Sequence, residues 1–302
     1  MKKIETAGVV GLGALGTMYA HILTNTMGRN QVFVFADADR VSRYRRDGVY
    51  YNGELQNFQY AVPEAPVDLL LVAVKFGALE EAISLCRPAV GPETTIISVL
   101  NGISSEERLG AAYSPAQVVW CVAQKMSARK EGNRAAAEPT GELALGVPDG
   151  MDRSHLDRLT AFFDSIGFVY SLPESIQVHM WSKLLCNTGC NQACMVYQCG
   201  YGGLQVPGPA RDAMLGAMRE VMTVANAEGV PLSERDISSW TDIIAGFPPE
   251  GEPSMRQDGK AHRRSEVELF SGTIRRLAEK HGISVPVNDW LYQKIHEIEA
   301  GY

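Results

Sequence analysis

Residues 7–18, "AGVVGLGALGTM", decide the fold. A short apolar run, Ala7 to Val10, leads into Gly11-Leu12-Gly13-Ala14-Leu15-Gly16, and "TMYAHILTNTMG" follows with helical spacing and a closing glycine. A complete G-x-G-x-x-G between a strand and a helix is a dinucleotide-binding signal. Gly11 permits the tight turn, Gly13 lets backbone approach a pyrophosphate, and Gly16 lets helix and strand pack closely. The helix N-terminus then offers unpaired N–H groups and a positive dipole end to the phosphates. The plainer alternative is a tight turn with no ligand. A second strand, "QVFVFAD", ends at Asp37, the distance along the chain at which such folds place the ribose-binding acid. Asp37 there favours NAD over NADP. Its other reading is a cap for the helix that "DADR" begins, and Arg40 and Arg43 lie close enough in sequence to reach a 2′-phosphate.

Outward from this loop the pattern repeats. "VDLLLVAVK" (67–75) and "TTIISVLNG" (94–102) are continuous apolar runs of strand length, separated by the helical "ALEEAISLCRPAV". Such runs mark strands buried on both faces. "QVVWCVAQ", "ELALGV" and "FVYSL" add further strands. Strands alternating with helices imply a largely parallel sheet covered on both sides. From about residue 174 helical spacing takes over, in "ESIQVHMWSKLLCNTGCNQACMVYQ", "ARDAMLGAMREVMTVANAEG", "ERDISSWTDIIAGF" and "RRSEVELFSGTIRRLAEKHG". The expectation is an α/β Rossmann-type dinucleotide-binding domain over 1–172 followed by an all-α C-terminal domain over 173–302.

Composition narrows the partners. The 302 residues carry 28 basic and 35 acidic side chains, a net charge of −7, with no basic run. That argues against nucleic acid or an anionic membrane, since both require clustered cations. No apolar run is long enough to span a bilayer, and the N-terminal segment has no signal-peptide pattern. The six cysteines read as reduced thiols of a cytoplasmic protein.

Open α/β sheets hold ligands past the C-terminal ends of their strands. Lys75 and Asn101 stand at two such ends and together favour a substrate and nicotinamide site, although each can also be a polar residue closing a strand. In the helical half, Lys183, Asn187 and Asn191 are four apart. On an α-helix they drift only about 40° per step and form one polar stripe. Buried amides and a buried lysine are costly without partners, and substrate oxygens would supply them. The bland alternative is a snorkelling lysine with amides capping nearby loops. Cys186, Cys190 and Cys194 form a neighbouring stripe whose spacing matches no zinc or iron–sulfur pattern. They read as core thiols, and no metal is expected.

"GLGALG", "VAVK" (72–75), "LNG" (100–102), "WSKLLCNTGCN" (181–191), "SMRQD" (254–258) and "SEVELFSG" (265–272), in this order, resemble the ketopantoate reductase (2-dehydropantoate 2-reductase) family over essentially the whole chain. The resemblance implies a Rossmann domain joined to a 6-phosphogluconate-dehydrogenase-like helical domain, with the active site in a cleft between them, and a homodimer formed through the helical half. It makes Lys183 the catalytic acid. Asn187, Asn191 and Ser254 would hold the keto acid, and Glu266 would bind its hydroxyl or organise the lysine. Lys75 and Asn101 would lie beside nicotinamide and substrate. Ser254 has a plainer reading as a helix N-cap in a capping box with Gln257, and Glu266 as part of a solvated face with Arg263 and Arg264.

Two departures stand out. The family carries Arg, its NADP determinant, where this chain has Asp37. The usual Asn-Pro-Leu-Thr reads Asn191-Gln192-Ala193-Cys194. Three activities remain compatible with the residues. The first is ketopantoate reduction with NAD or NADP, and the second is an NAD-dependent D-2-hydroxyacid dehydrogenase acting on another 2-keto acid. The third is a dinucleotide sensor without chemistry, against which Lys183 and Glu266 speak.

Overall fold

The computed structural model describes residues 2–138 and 141–302. The chain folds as two compact units, Met1–Asn101 with Ser105–Ile176, and Gly102–Ser104 with Gln177–Tyr302. In the first unit the strands are β1 (Ala7–Val10), β2 (Val32–Phe35), β3 (Tyr50–Tyr51), β4 (Glu54–Leu55), β5 (Gln59–Ala61), β6 (Leu69–Val72), β7 (Thr95–Ser98), β8 (Val118–Gln124), β9 (Ala128–Glu131), β10 (Arg134–Ala137), β11 (Glu142–Gly146) and β12 (Tyr170–Ser171). The helices among them are α1 (Ala14–Met27), α2 (Ala38–Asp47), α3 (Leu79–Cys86), α4 (Ser105–Ala112) and α5 (Ser154–Ile166).

Eight strands form one sheet in the order β12-β11-β8-β7-β6-β1-β2-β5. From β5 to β8 every pairing is parallel, and β11 joins antiparallel to β8. The strand order reverses between β1 and β6, the switch point at which a doubly wound sheet opens its ligand crevice. Burial follows from the apolar runs. Leu69 and Leu71 of β6 enter one core with Val9, Tyr19 and Phe163, while Leu70 and Val72 enter the other with Leu79, Ile83 and Leu109. "FVYSL" contributes only the two-residue strand β12.

A second, four-stranded sheet, β4-β3-β10-β9, has no counterpart in the sequence reading. Its strands are short and half polar. Two tight turns build it: Asn52-Gly53, both at positive φ, joins β3 to β4, and Gly132-Asn133 joins β9 to β10. These are the chemistries that two-residue hairpins require.

The second unit is helical: α6 (Ile176–Cys186), α7 (Gln192–Val196), α8 (Gly202–Gln205), α9 (Pro209–Ala227), α10 (Glu234–Ala245), α11 (Ser254–Lys260), α12 (Ser271–His281) and α13 (Pro286–Glu299). Met214, Ala217, Met218, Val221 and Val224 make α9 its buried spine, packed against α7, α12 and α13. The single long helix expected from residue 174 to 198 is interrupted, because Asn187–Asn191 forms a π-helical turn between α6 and α7. Among the described residues no helix is long and apolar enough to cross a membrane.

At the N-terminal edge of the large sheet, the guanidinium of Arg158 is buried and donates to the carbonyls of Lys2, Lys3, Asp68 and Glu93 and to the Asp68 carboxylate at 3.0 Å. Burial pushes the Asp68 carboxyl up. Hydrogen bonds from Lys2, the Glu5 and Thr6 amides and the Thr6 hydroxyl outweigh this and bring it down to about 2. One side chain thus ties α5, β6 and the chain's start together. Arg158→Met removes the cation and leaves these acceptors buried, so denaturant unfolding is expected to show a loss of about 3–5 kcal/mol. A loss below about 1 kcal/mol, the worth of an exposed pair, would contradict this account.

Candidate functional site

The glycine loop follows β1 directly. A Cβ on Gly11 would lie 2.6 Å from the Ala73 carbonyl oxygen, and one on Gly16 would lie 1.8 Å from the Gly11 carbonyl oxygen. Both positions exclude any side chain. Gly13 differs: the nearest protein atom to its Cβ position is 3.7 Å away. Nothing within the protein requires glycine there, so the space above Gly13 is a cradle that a side chain would fill and a phosphate fits. Gly13 is also the N-cap of α1, with no side chain capping that end and no acid in the first turn. The N–H groups of Ala14, Leu15 and Gly16 are therefore available to an anion. These features fit a dinucleotide pyrophosphate.

Asp37 realises its capping role. Its Oδ1 accepts from the Arg40 amide at 2.7 Å, and Oδ2 faces the Arg40 guanidinium at 3.5 Å. The carboxylate remains substantially exposed at the C-terminal end of β2. Lys75 and Asn101 are placed by strand register. Val72 of β6 pairs with Ser98 of β7, so Lys75 and Asn101, each three residues beyond, leave neighbouring strand ends side by side. Both have partners within the protein.

Lys183 occupies the last turn of α6, half-buried and with a partner of its own. Asn187 and Asn191 open and close the π turn. Asn191 is 7% exposed, and among the described residues neither carboxamide makes a hydrogen bond. The even α-helical drift expected for the three residues does not hold, since an i→i+5 turn changes the rotation between the two asparagines. Ser254 is the exposed first residue of α11, whose N-cap is Pro253, so it forms no capping box. A capping box is formed at α10, by Ser233 and Asp236. α11 packs on α7 and on the π turn, which puts Ser254 and the asparagines on adjoining elements. Glu266 precedes a short 3₁₀ turn, Val267–Leu269, and is half-buried and partnered. The six cysteines are free thiols, and among the described residues no group of three or more His, Cys, Asp or Glu is placed to hold a metal ion.

The family model described as ketopantoate reductase PanE/ApbA matches residues 7–150, and its C-terminal counterpart matches residues 175–299. The chain belongs to this family. The 2-dehydropantoate 2-reductase of Aquifex aeolicus is 24% identical over 95% of this chain and 94% of its own length. The PanE/ApbA family ketopantoate reductase from Ralstonia eutropha JMP134, a crystal structure, superposes with a TM-score of 0.83 at 25% identity, covering 98% of each chain. A D-mandelate dehydrogenase solved with NADH and anilino(oxo)acetate superposes with a TM-score of 0.85 at 20% identity, covering 98% of this chain and 99% of that one. At that identity the likeness is one of fold.

Two polar residues near this family's glycine loop and strand ends escaped the sequence reading. Lys130 of β9 donates its ammonium to the Leu12 carbonyl; its only signal was a Gly-Asn hairpin turn two residues on. Glu106, 2% exposed in the first turn of α4, lies beneath the segment that ends in Asn101. A chain of hydrogen bonds joins them: the Leu100 amide donates to Ser98 Oγ at 3.3 Å, Ser98 to Ser105 Oγ at 2.8 Å, and Ser105 to Glu106 Oε2 at 2.9 Å. Burial pushes the Glu106 carboxyl up from 4.5 to about 7, against the pull of the Ser105 hydroxyl.

The folded chain therefore keeps this proton to about pH 7, whereas the unfolded chain releases it near 4.5. The stabilisation is complete below the lower value and is lost as pH rises through the interval. Its size is on the order of 3 kcal/mol, at about 1.4 kcal/mol per unit of displacement. Urea unfolding of Glu106→Gln and the parent at about pH 4.5 and about pH 8 is expected to show the variant gaining on the parent at the higher pH. An equal difference at both values would show that the fold does not raise the Glu106 carboxyl.

Proposed function

We propose that the chain reduces 2-dehydropantoate to pantoate with a nicotinamide dinucleotide. One observation carries the reading: among the described residues the carboxamides of Asn187 and Asn191 make no hydrogen bond, and they share a helical segment with Lys183. Asn191 is 7% exposed and Asn187 half-buried, so both carboxamides keep hydrogen-bonding capacity for a ligand. A carboxylate and a carbonyl on the substrate supply the missing acceptors. The glycine loop's cradle and the family membership add the cofactor.

When bound, the nicotinamide supplies the hydride to the carbonyl carbon. The residues of the chain do the rest. The Lys183 ammonium meets the oxygen as it becomes anionic, stabilises the charge and gives up a proton to it. Asn187 and Asn191 donate to the substrate's oxygens and fix which face of the carbonyl is presented. Ser254 offers a hydroxyl to the carboxylate end, Glu266 accepts from the substrate's hydroxyl or orients Lys183, and Asn101 and Lys75 hold the substrate and the nicotinamide ribose. Backbone N–H groups at Gly13 and the start of α1 take the pyrophosphate.

Asp37 and the Gln192-Ala193-Cys194 sequence favour a second reading, a D-2-hydroxyacid dehydrogenase that uses NADH on another 2-keto acid. Gln192 is fully buried and bonded through Nε2 to the Thr188 carbonyl at 2.6 Å, so this wall of the segment differs from the family's usual proline. Oxidation of NADH and NADPH is measured with 2-dehydropantoate, phenylglyoxylate and 2-ketoisovalerate. The expected result is the highest kcat/KM for 2-dehydropantoate and a fall in kcat of roughly 10²- to 10⁴-fold in Lys183→Ala, with coenzyme binding unchanged. Preference for phenylglyoxylate would transfer the assignment to the second reading, and no turnover of any keto acid would leave a sensor.

A further inference from the structure

At the edge where the strands of the large sheet begin, a cavity of about 420 Å³ opens between the last turn of α2, β3, β4 and the segment that enters β5. Its size falls within the roughly 300–1,000 Å³ of small-molecule sites. Strand direction separates it from the dinucleotide crevice. The glycine loop follows the end of β1, whereas Arg29 belongs to the short turn Arg29–Gln31 that precedes β2, and Tyr44 to Asp47 close α2 on its return along the sheet.

Three guanidiniums border the cavity, those of Arg29, Arg45 and Arg46, and Asp47 is the one acid among the described residues that line it. Asp47 is spent on Arg46, which donates to its two oxygens at 2.7 and 3.2 Å. Arg29 donates through Nε to the Asn57 carbonyl at 3.2 Å, and Arg45 through Nη2 to the Tyr60 carbonyl at 3.0 Å. These bonds clamp both ends of the 57–60 segment and orient the two forks, while most of the N–H groups on each stay open to a ligand. Neither arginine forms an ion pair among the described residues. The rings of Tyr44 and Phe58 pack against that of Tyr60, with centroids 5.5 and 6.2 Å away, and give the wall an apolar face. Tyr60 is 9% exposed, and its hydroxyl is buried with no partner among the described residues, a donor that an anionic oxygen would satisfy.

We propose that this cavity is a second binding site, for a small phosphomonoester with an aromatic body. Charge selects the phosphate. Once Asp47 has matched Arg46, two guanidiniums remain, and a phosphomonoester carries about −1.5 to −2 at neutral pH. The partial negative charge at the end of α2 offsets only about half of one cation, so the surplus stays positive. A phosphate presents three terminal oxygens to several guanidinium forks at once, whereas a carboxylate is saturated by one. The rings take the body of the ester. The site stands apart from the reduction proposed above, because none of its residues belongs to that chemistry.

Calorimetric titration of the full chain with phenyl phosphate, inorganic phosphate and benzoate tests this. Phenyl phosphate is expected to bind roughly tenfold or more tightly than either of the others. Arg29→Gln and Arg45→Gln should each weaken it roughly tenfold or more, the worth of one charge-assisted contact. Asp47→Asn releases the Arg46 guanidinium and should tighten binding severalfold, a gain that a damaged fold cannot imitate. Gly13→Ala, which fills the pyrophosphate cradle, should leave the affinity unchanged. Absence of phenyl phosphate binding overturns the inference, and so does binding that survives both arginine substitutions or weakens in Asp47→Asn. Loss of binding in Gly13→Ala overturns it as well, since the phosphate would then sit on the glycine loop. Benzoate bound as tightly as phenyl phosphate would refute the phosphate chemistry, and inorganic phosphate bound as tightly would refute the aromatic body.

Discussion

The Ala73 carbonyl, at the end of β6, occupies the space that a side chain on Gly11 would need, and Gly16 packs its backbone against the Gly11 carbonyl. This double close approach welds β1, the loop and the start of α1 to the neighbouring strand. Because β6 pairs in parallel register with β7, the weld also fixes where Lys75 and Asn101 emerge relative to the phosphate cradle. Apolar cores on both faces of the sheet hold the strands at this spacing. Relaxing the contact by even one methyl group would move the helix N-terminus off the crevice. The geometry of the cofactor half thus descends from two missing side chains.

Those glycines were legible because their motif lies within six residues between a strand and a helix, even though the carbonyl that Gly11 meets comes from Ala73 on another strand. The strands were legible because burial on both faces writes a continuous apolar run. The small sheet was not. β3 and β4 are two residues each, and "ARKEGNR" reads as a solvated charged stretch, since nothing in it says that Lys130 turns inward to the Leu12 carbonyl. Glu106 looks like any acid favouring a helix N-terminus; only the strands packed over α4 bury it. Asp37 was readable as both ribose ligand and cap; the structure shows the cap through one carboxylate oxygen and leaves the side chain substantially exposed. In the helical half the polar residues of the segment were identified, but their backbone was not. The spacing of Asn187 and Asn191 is the same in a π turn and an α-helix, and the difference lies in which carbonyl each amide reaches.

What holds that wider turn is a packing constraint from outside it. A Cβ on Gly189 would lie 2.8 Å from the Met214 carbonyl oxygen and 2.7 Å from Met218 Cγ, so α9 presses on the turn where it has no side chain. Around the turn, the Thr188 hydroxyl and Gln192 Oε1 are buried without partners among the described residues, while Gln192 Nε2 donates to the Thr188 carbonyl. Short π turns concentrate at functional sites because they cost stability and persist only where surrounding structure enforces them. Here α9 supplies the enforcement. Two asparagine carboxamides that make no hydrogen bond among the described residues, on the same helical run as Lys183, suit the keto acid proposed above.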